Sequence, residues 1–106
     1  MQTDTGYENI PPSVVPVPKM LENDPLVERL ILFGSRAIGD HGERSDVDIA
    51  VCGKEISSTR WAQIRESAYS ARTLFRISLV HFDKNPESLK QRILTTGKSI
   101  YVRPEA

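Results

Sequence analysis

The stretch Ser45-Asp46-Val47-Asp48-Ile49-Ala50-Val51 alternates with a period of two, and this period constrains the chain more than any other feature. Successive side chains of a strand point to opposite faces. Val47, Ile49 and Val51 therefore line one face, and Asp46, Asp48 and Ala50 the other. The two carboxylates are expected on one side, roughly 6 to 7 Å apart at the backbone. Like charges held that close are costly unless a cation joins them. Hard oxygen ligands favour Mg²⁺ or Mn²⁺, and Mg²⁺ fills most of its shell with water and phosphate oxygens.

The stretch just before it complements this demand. Leu26 to Phe33 reads as a strand whose last residues, Ile31-Leu32-Phe33, are apolar without interruption, the pattern of burial on both faces. Gly34-Ser35 breaks the strand and turns into a short helix. Such a turn aims backbone N–H groups and a hydroxyl at one spot, which suits phosphate. Gly34 lets a ligand come close to the backbone.

Further along, Ser57-Ser58-Thr59 offers capping hydroxyls for a helix running to about Arg76. Its apolar stripe is Trp61, Ile64, Ala68, Ala71 and Phe75. Arg76 to Phe82 reads as a third strand. Asn85-Pro86-Glu87 then starts a helix with Asn85 as cap, Leu89 and Ile93 facing inward and Gly97 as its stop. Ser99 to Arg103 makes a last strand. Strands alternate with helices, so the class is α/β or α+β. Residues 1–18, with Pro11, Pro12, Pro16 and Pro18, read as a flexible arm, Val14 to Val17 lying on a surface or on a partner in polyproline form. A short helix is expected over Lys19 to Glu22, and residues 19–106 form the domain.

Composition narrows the function. Fourteen basic residues balance fourteen acidic ones, so the field that holds a long nucleic acid is missing. A small molecule or a protein is the expected partner. The single Cys52 makes no internal disulfide. No run approaches the roughly 18 to 20 apolar residues of a membrane span, and the N-terminus lacks the pattern of a secretory signal. The expected compartment is the cytoplasm.

Gly34-Ser35, ten intervening residues, and Asp46-Val47-Asp48 together resemble the signature of the nucleotidyltransferase superfamily that includes DNA polymerase beta. The closest likeness is to its minimal members, of the kind paired with HEPN proteins in toxin–antitoxin systems. The resemblance covers residues from about 19 to 102, including the Arg36-Ala37-x-Gly39 continuation. It implies a small mixed sheet with helices packed mainly on one side. It implies that Gly34 and Ser35 hold the phosphates of a nucleoside triphosphate such as ATP, and that Asp46 and Asp48 are the catalytic metal ligands for Mg²⁺ or Mn²⁺. It further implies transfer of a nucleoside monophosphate to a hydroxyl on a protein partner, an all-helical HEPN protein, or on a small molecule. The domain leaves little room for an acceptor module, so the acceptor site is expected from another chain or from a second copy of this one.

One departure weakens the expectation of turnover. Family members usually carry a third carboxylate on the next strand, and Ser78 falls at that position. A serine hydroxyl is no comparable base. His81 and Asp83 are nearby, but strand parity points both away from that face unless a bulge intervenes. The alternative to an enzyme is a binding module that keeps the fold and caps a partner.

Among the remaining residues the arginines divide between two readings each. Arg36 either contacts phosphate or bonds within the fold. Ser45 shapes the strand's start, and His41 is a loop residue. Arg65, Arg72 and Arg76 fall at helical spacing, as a solvated edge or as a contact for an acidic partner. Trp61 and Cys52 belong with the core.

Overall fold

The structure, a computed structural model, describes residues 7–39, 42 and 44–104. The elements run α1 Pro16–Glu22, β1 Arg29–Phe33, α2 Ser35–Ile38, β2 Val47–Cys52, α3 Ser58–Tyr69, β3 Ile77–His81, a 3₁₀ turn Phe82–Lys84, α4 Glu87–Thr96 and β4 Lys98–Val102. The four strands form one sheet in the order β3-β2-β1-β4. β1 is antiparallel to both its neighbours, whereas β2 and β3 run parallel, joined by α3 as a parallel pair requires. This is the expected small mixed sheet.

The period-two pattern decides which side chains meet. Leu30 and Leu32 of β1, Val47, Ile49 and Val51 of β2, and Ile77 and Leu79 of β3 join the main core with Leu21, Ile64 and Ala68 from the helices. On the opposite face Ile31, Ala50 and Cys52 make a smaller core with Ile93 of α4. Helices thus lie mostly on one side. α4 covers only the Ala50 and Cys52 end of the second face and leaves the Asp46 end open, where Asp46 is exposed and Asp48 half-buried.

Four expectations need correction. The proline-dense segment is packed, not loose: Ile10, Val14 and Val17 are buried in the main core. α1 begins at Pro16, three residues earlier than expected, because Pro16 and Pro18 fall in its first turn, where backbone N–H groups lack helical partners anyway. α3 stops at Tyr69 instead of Arg76, since the Ser70 hydroxyl donates to the Glu66 carbonyl at 2.8 Å and a turn follows. Arg72 and Arg76 therefore leave the helix, and Arg65 does not share a helical face with them. Asn85 is not the cap of α4, a place taken by Pro86; its side chain donates instead to the His81 carbonyl at 2.7 Å.

Other local readings hold. Ser57 caps α3 by accepting from the Arg60 N–H at 3.1 Å. Gly97 ends α4 at a φ of −85°, so its need is space rather than handedness. A Cβ there would sit 2.5 Å from both the Ile93 carbonyl oxygen and Ile31 Cγ2.

Candidate functional site

The site forms where β1 ends beside the start of β2. In the antiparallel register Phe33 faces Asp48, so the next residue, Gly34, lies against the Asp48 carboxylate. Gly34 has φ 77° and ψ −160°, a region that residues with a Cβ avoid. A Cβ on Gly34 would come within 2.5 Å of Asp48 Oδ2. The glycine is thus required twice, by backbone angle and by the carboxylate pressed against it. Ser35, half-buried, opens α2 directly after this turn.

β2 begins at Val47 rather than Ser45, so Asp46 precedes the strand instead of sharing its ladder with Asp48; the two carboxylates are nevertheless near enough for the charge of one to act on the other. The pKa of Asp48 is raised, first by burial and then by the negative charge of Asp46. A site that opposes its own ionisation in this way favours a cation between its carboxylates. The donors are hard oxygens, one exposed and one half-buried, which fits Mg²⁺ or Mn²⁺. Asp46 and Asp48 are the residues that would hold it. Among the described residues no group of three His, Cys, Asp or Glu side chains gathers anywhere.

The parallel ladder places Ser78 beside Asp48 with no register shift, so the serine shares the carboxylate face. Neither neighbour substitutes for the missing acid. His81 pairs with Val51 on the main-core side, is buried, stacks on Trp61 at 5.0 Å between ring centroids, and has Nε2 3.0 Å from the Gly53 carbonyl oxygen. The Oδ2 of Asp83 accepts from the Gly53 N–H at 2.7 Å. Both hold the far end of β2.

Of the two readings of Arg36, its contacts in the structure carry the one within the fold. Arg36 is 4% exposed, and its guanidinium is turned into the fold. Nε donates to the Ser45 carbonyl at 3.0 Å and Nη1 to the Asn9 carbonyl at 3.0 Å, while the Arg36 carbonyl accepts from Asn9 Nδ2 at 2.9 Å. The Phe75 ring lies 5.4 Å from the guanidinium carbon. Arg36 thereby fixes the residue that precedes Asp46. Ser45 adds to this, its Oγ accepting from the Gly42 N–H at 2.9 Å. His41 lies outside the described residues. Asn9 carries no local signal of this role, since its partner is 27 positions away.

Trp61 and Cys52 sit with the two cores, and burial pushes the Cys52 thiol up to about 11, which keeps it protonated and inert. No helix among the described residues is long and apolar enough to cross a membrane.

A chain of a toxin–antitoxin complex crystallised with AMP-PNP superposes with a TM-score of 0.66 at 23% identity, covering 86% of this chain and 72% of that one. A chain of the complex between a tri-AMPylated Shewanella oneidensis HEPN toxin and its MNT antitoxin gives 0.62 at 22% identity, covering 86% and 71%. A chain of the MntA–HepT toxin–antitoxin pair matches equally, at 0.62 and 22% with the same coverage. At such identities the likeness establishes the fold. No curated protein sequence matches the chain. The family model described as "Polymerase beta, Nucleotidyltransferase" matches residues 17–106, nearly the whole length, and the chain belongs to that nucleotidyltransferase family.

Proposed function

We propose that this protein binds a magnesium nucleoside triphosphate, ATP in the first instance, and transfers its nucleoside monophosphate to a hydroxyl on a HEPN-type protein partner, as the antitoxin-like member of such a pair. The observation that carries this reading is the Asp48 carboxylate lying against the side-chain-free Gly34, with the charge of Asp46 close enough to act on it. Solved relatives in fold were captured with AMP-PNP or with an AMPylated HEPN toxin, which supports the choice of nucleotide and partner.

Each residue has a physical task in this reading. Gly34 leaves the backbone open to close approach by phosphate, and the Ser35 hydroxyl and N–H donate to its oxygens. Asp46 and Asp48 would hold the Mg²⁺ that accompanies the nucleotide. When bound, Mg²⁺ offsets the charge of phosphates and carboxylates and polarises the phosphorus under attack. The acceptor oxygen forms its bond to the α-phosphorus as the bridge to the β-phosphate breaks, and pyrophosphate leaves. Ser78 lies beside Asp48 and its hydroxyl is no general base at neutral pH, so the acceptor's proton goes to water or to a base on the partner.

A second reading has its own observation. With Ser78 paired to Asp48 and both His81 and Asp83 engaged elsewhere, the chain is a binding module that keeps the nucleotide turn and caps its partner. Calorimetric titration with ATP, with and without Mg²⁺, combined with pyrophosphate release in the presence of the co-expressed partner, separates the readings. Magnesium-dependent binding with release establishes the transferase. Binding without release selects the capping module, and absence of binding removes the nucleotide site altogether. Asp46→Asn with Asp48→Asn must abolish transfer, yet leave partner capture intact if the chain is only a cap.

A further inference from the structure

The loop from α3 to β3 presents the most exposed large apolar side chain among the described residues: Leu74 is 100% exposed. A single exposed leucine is ordinary. What distinguishes this one is its anchoring and its surroundings. Thr73 Oγ1 lies 2.7 Å from Ser13 Oγ and accepts from the Phe75 N–H at 3.2 Å, and the Arg76 carbonyl accepts from the Val47 N–H at 2.9 Å. Both neighbours of Leu74 are tied down, so the side chain is held outward as a ridge. On one side lies an open groove of about 440 Å³ lined by Pro11, Arg36, Arg44 and Phe75, and on the other one of about 430 Å³ lined by Ser13, Arg72, Thr73 and Phe75.

The rim of this ridge is basic. Arg44, Arg72 and Arg76 are exposed, and none forms an ion pair among the described residues, whereas Arg60 pairs with Asp24. We propose that the ridge docks an acidic protein surface whose apolar cleft receives Leu74. Exposed arginines around an apolar centre match the composition of protein interfaces and are complementary to carboxylates. A single-stranded nucleic acid suits the patch less well, because base stacking needs an open aromatic face and the half-buried Phe75 ring already has the Arg36 guanidinium over it.

The location gives docking a purpose. Arg76 bonds to Val47, the residue after Asp46, and Arg36 in the wall of the first groove follows Ser35. A protein seated on the ridge lies beside the nucleotide turn. In this respect the inference rests on the proposed transfer, since it names the surface chemistry the acceptor presents; the docking itself stands on the patch alone.

The test is fluorescence anisotropy with the full chain and three labelled probes. These are a helical peptide with one leucine face and one glutamate face, the same peptide with lysine for glutamate, and a single-stranded oligonucleotide. The acidic peptide is expected to bind, and Leu74→Asp or Arg72→Glu should each weaken it by about tenfold or more, as loss of a central anchor or a rim charge does. Arg92→Glu on α4 makes the same change in net charge and should leave binding unchanged. Because Leu74 touches solvent on all sides, Leu74→Asp should keep the wild-type melting temperature. The proposal is overturned by no preference for the acidic over the basic peptide, or by equal losses in Arg92→Glu and Arg72→Glu. Oligonucleotide binding that disappears with the same variants also overturns it, in favour of nucleic acid. Binding of Mg²⁺ and ATP measured on the same samples reports on the nucleotide turn separately, so either idea can fail while the other stands.

Discussion

Asp48 carries its carboxylate where ionisation is opposed twice, by burial and by Asp46. Because its folded pKa is raised, the group favours the fold while protonated, and that contribution is lost as pH rises through the raised value. At neutral pH the ionised carboxylate weighs against the fold until a cation arrives. Asp48→Asn is therefore expected to raise the melting temperature by a few degrees at neutral pH without divalent cations, while abolishing magnesium-dependent nucleotide binding. Thermal melts at neutral and acidic pH check this: the advantage of the variant must shrink as the wild-type carboxylate protonates. Gly34→Ala attacks the same contact from the other strand. It forces alanine into a positive-φ, extended-ψ backbone that only glycine adopts readily, at about 1–3 kcal/mol, and drives a methyl group into Asp48 Oδ2. The expected outcome is a lower melting temperature together with lost ATP binding, read by calorimetry. A variant that loses stability but binds ATP normally would detach Gly34 from the nucleotide. Ser78→Asp tests the missing acid. The register puts the new carboxylate beside Asp48, so pyrophosphate release should rise, and stability without divalent cation should fall as a third like charge joins the cluster.

Among the elements, the segment leading into α1 contributes more than its prolines suggest. Val14 is wholly buried, and truncating it to alanine removes the equivalent of two methylene groups and leaves a void. The expected cost is about 1.5–3 kcal/mol. For a domain of this size that corresponds to a fall in melting temperature of roughly 10 °C, measurable by calorimetry or circular dichroism. An unchanged melting temperature would return the segment to the status of a loose arm. What was legible in the sequence was the content of single elements. The alternation of β2, the Ser57 cap and the Gly97 stop are local patterns; the cap and the stop are found where their residue types put them, and the strand begins at Val47, two residues after its alternation starts. The facing of Ser78 was legible for the same reason, since strand parity needs no knowledge of the partner strand. The role of Arg36 was not, because its partners Ser45 and Asn9 become neighbours only when the fold closes. Nor was the end of α3, where the apolar stripe continues through Ala71 and Phe75 although the backbone has left the helix. Both residues still pack on the main core, so periodicity reported burial correctly and conformation wrongly. The helical prolines failed in the opposite way: their exclusion from helices holds for interiors, and Pro16 and Pro18 sit at a beginning.

For the molecule as a whole, the charge arrangement dictates how ligands cooperate. A triphosphate alone approaches two carboxylates and is repelled, and Mg²⁺ alone finds two protein carboxylates, a weak site for an ion that is reluctant to shed water. Each ligand supplies what the other lacks, so affinity should appear only for the pair. Binding confined to the folded state stabilises it by about 2.7 kcal/mol at a concentration a hundred times the dissociation constant. In a domain of this size that is a rise in melting temperature on the order of 10 °C. Mg²⁺ and ATP together are expected to produce such a rise, each alone almost none, and Asp46→Asn combined with Asp48→Asn should remove it. A shift with ATP alone would place the triphosphate away from the carboxylates, on the arginines around Leu74 for instance. A shift with Mg²⁺ alone, undiminished in the double variant, would assign the cation to another part of the chain. Either result would break the link between the Gly34 turn and the aspartate strand, and with it the physical basis for reading this sheet end as a nucleotide site.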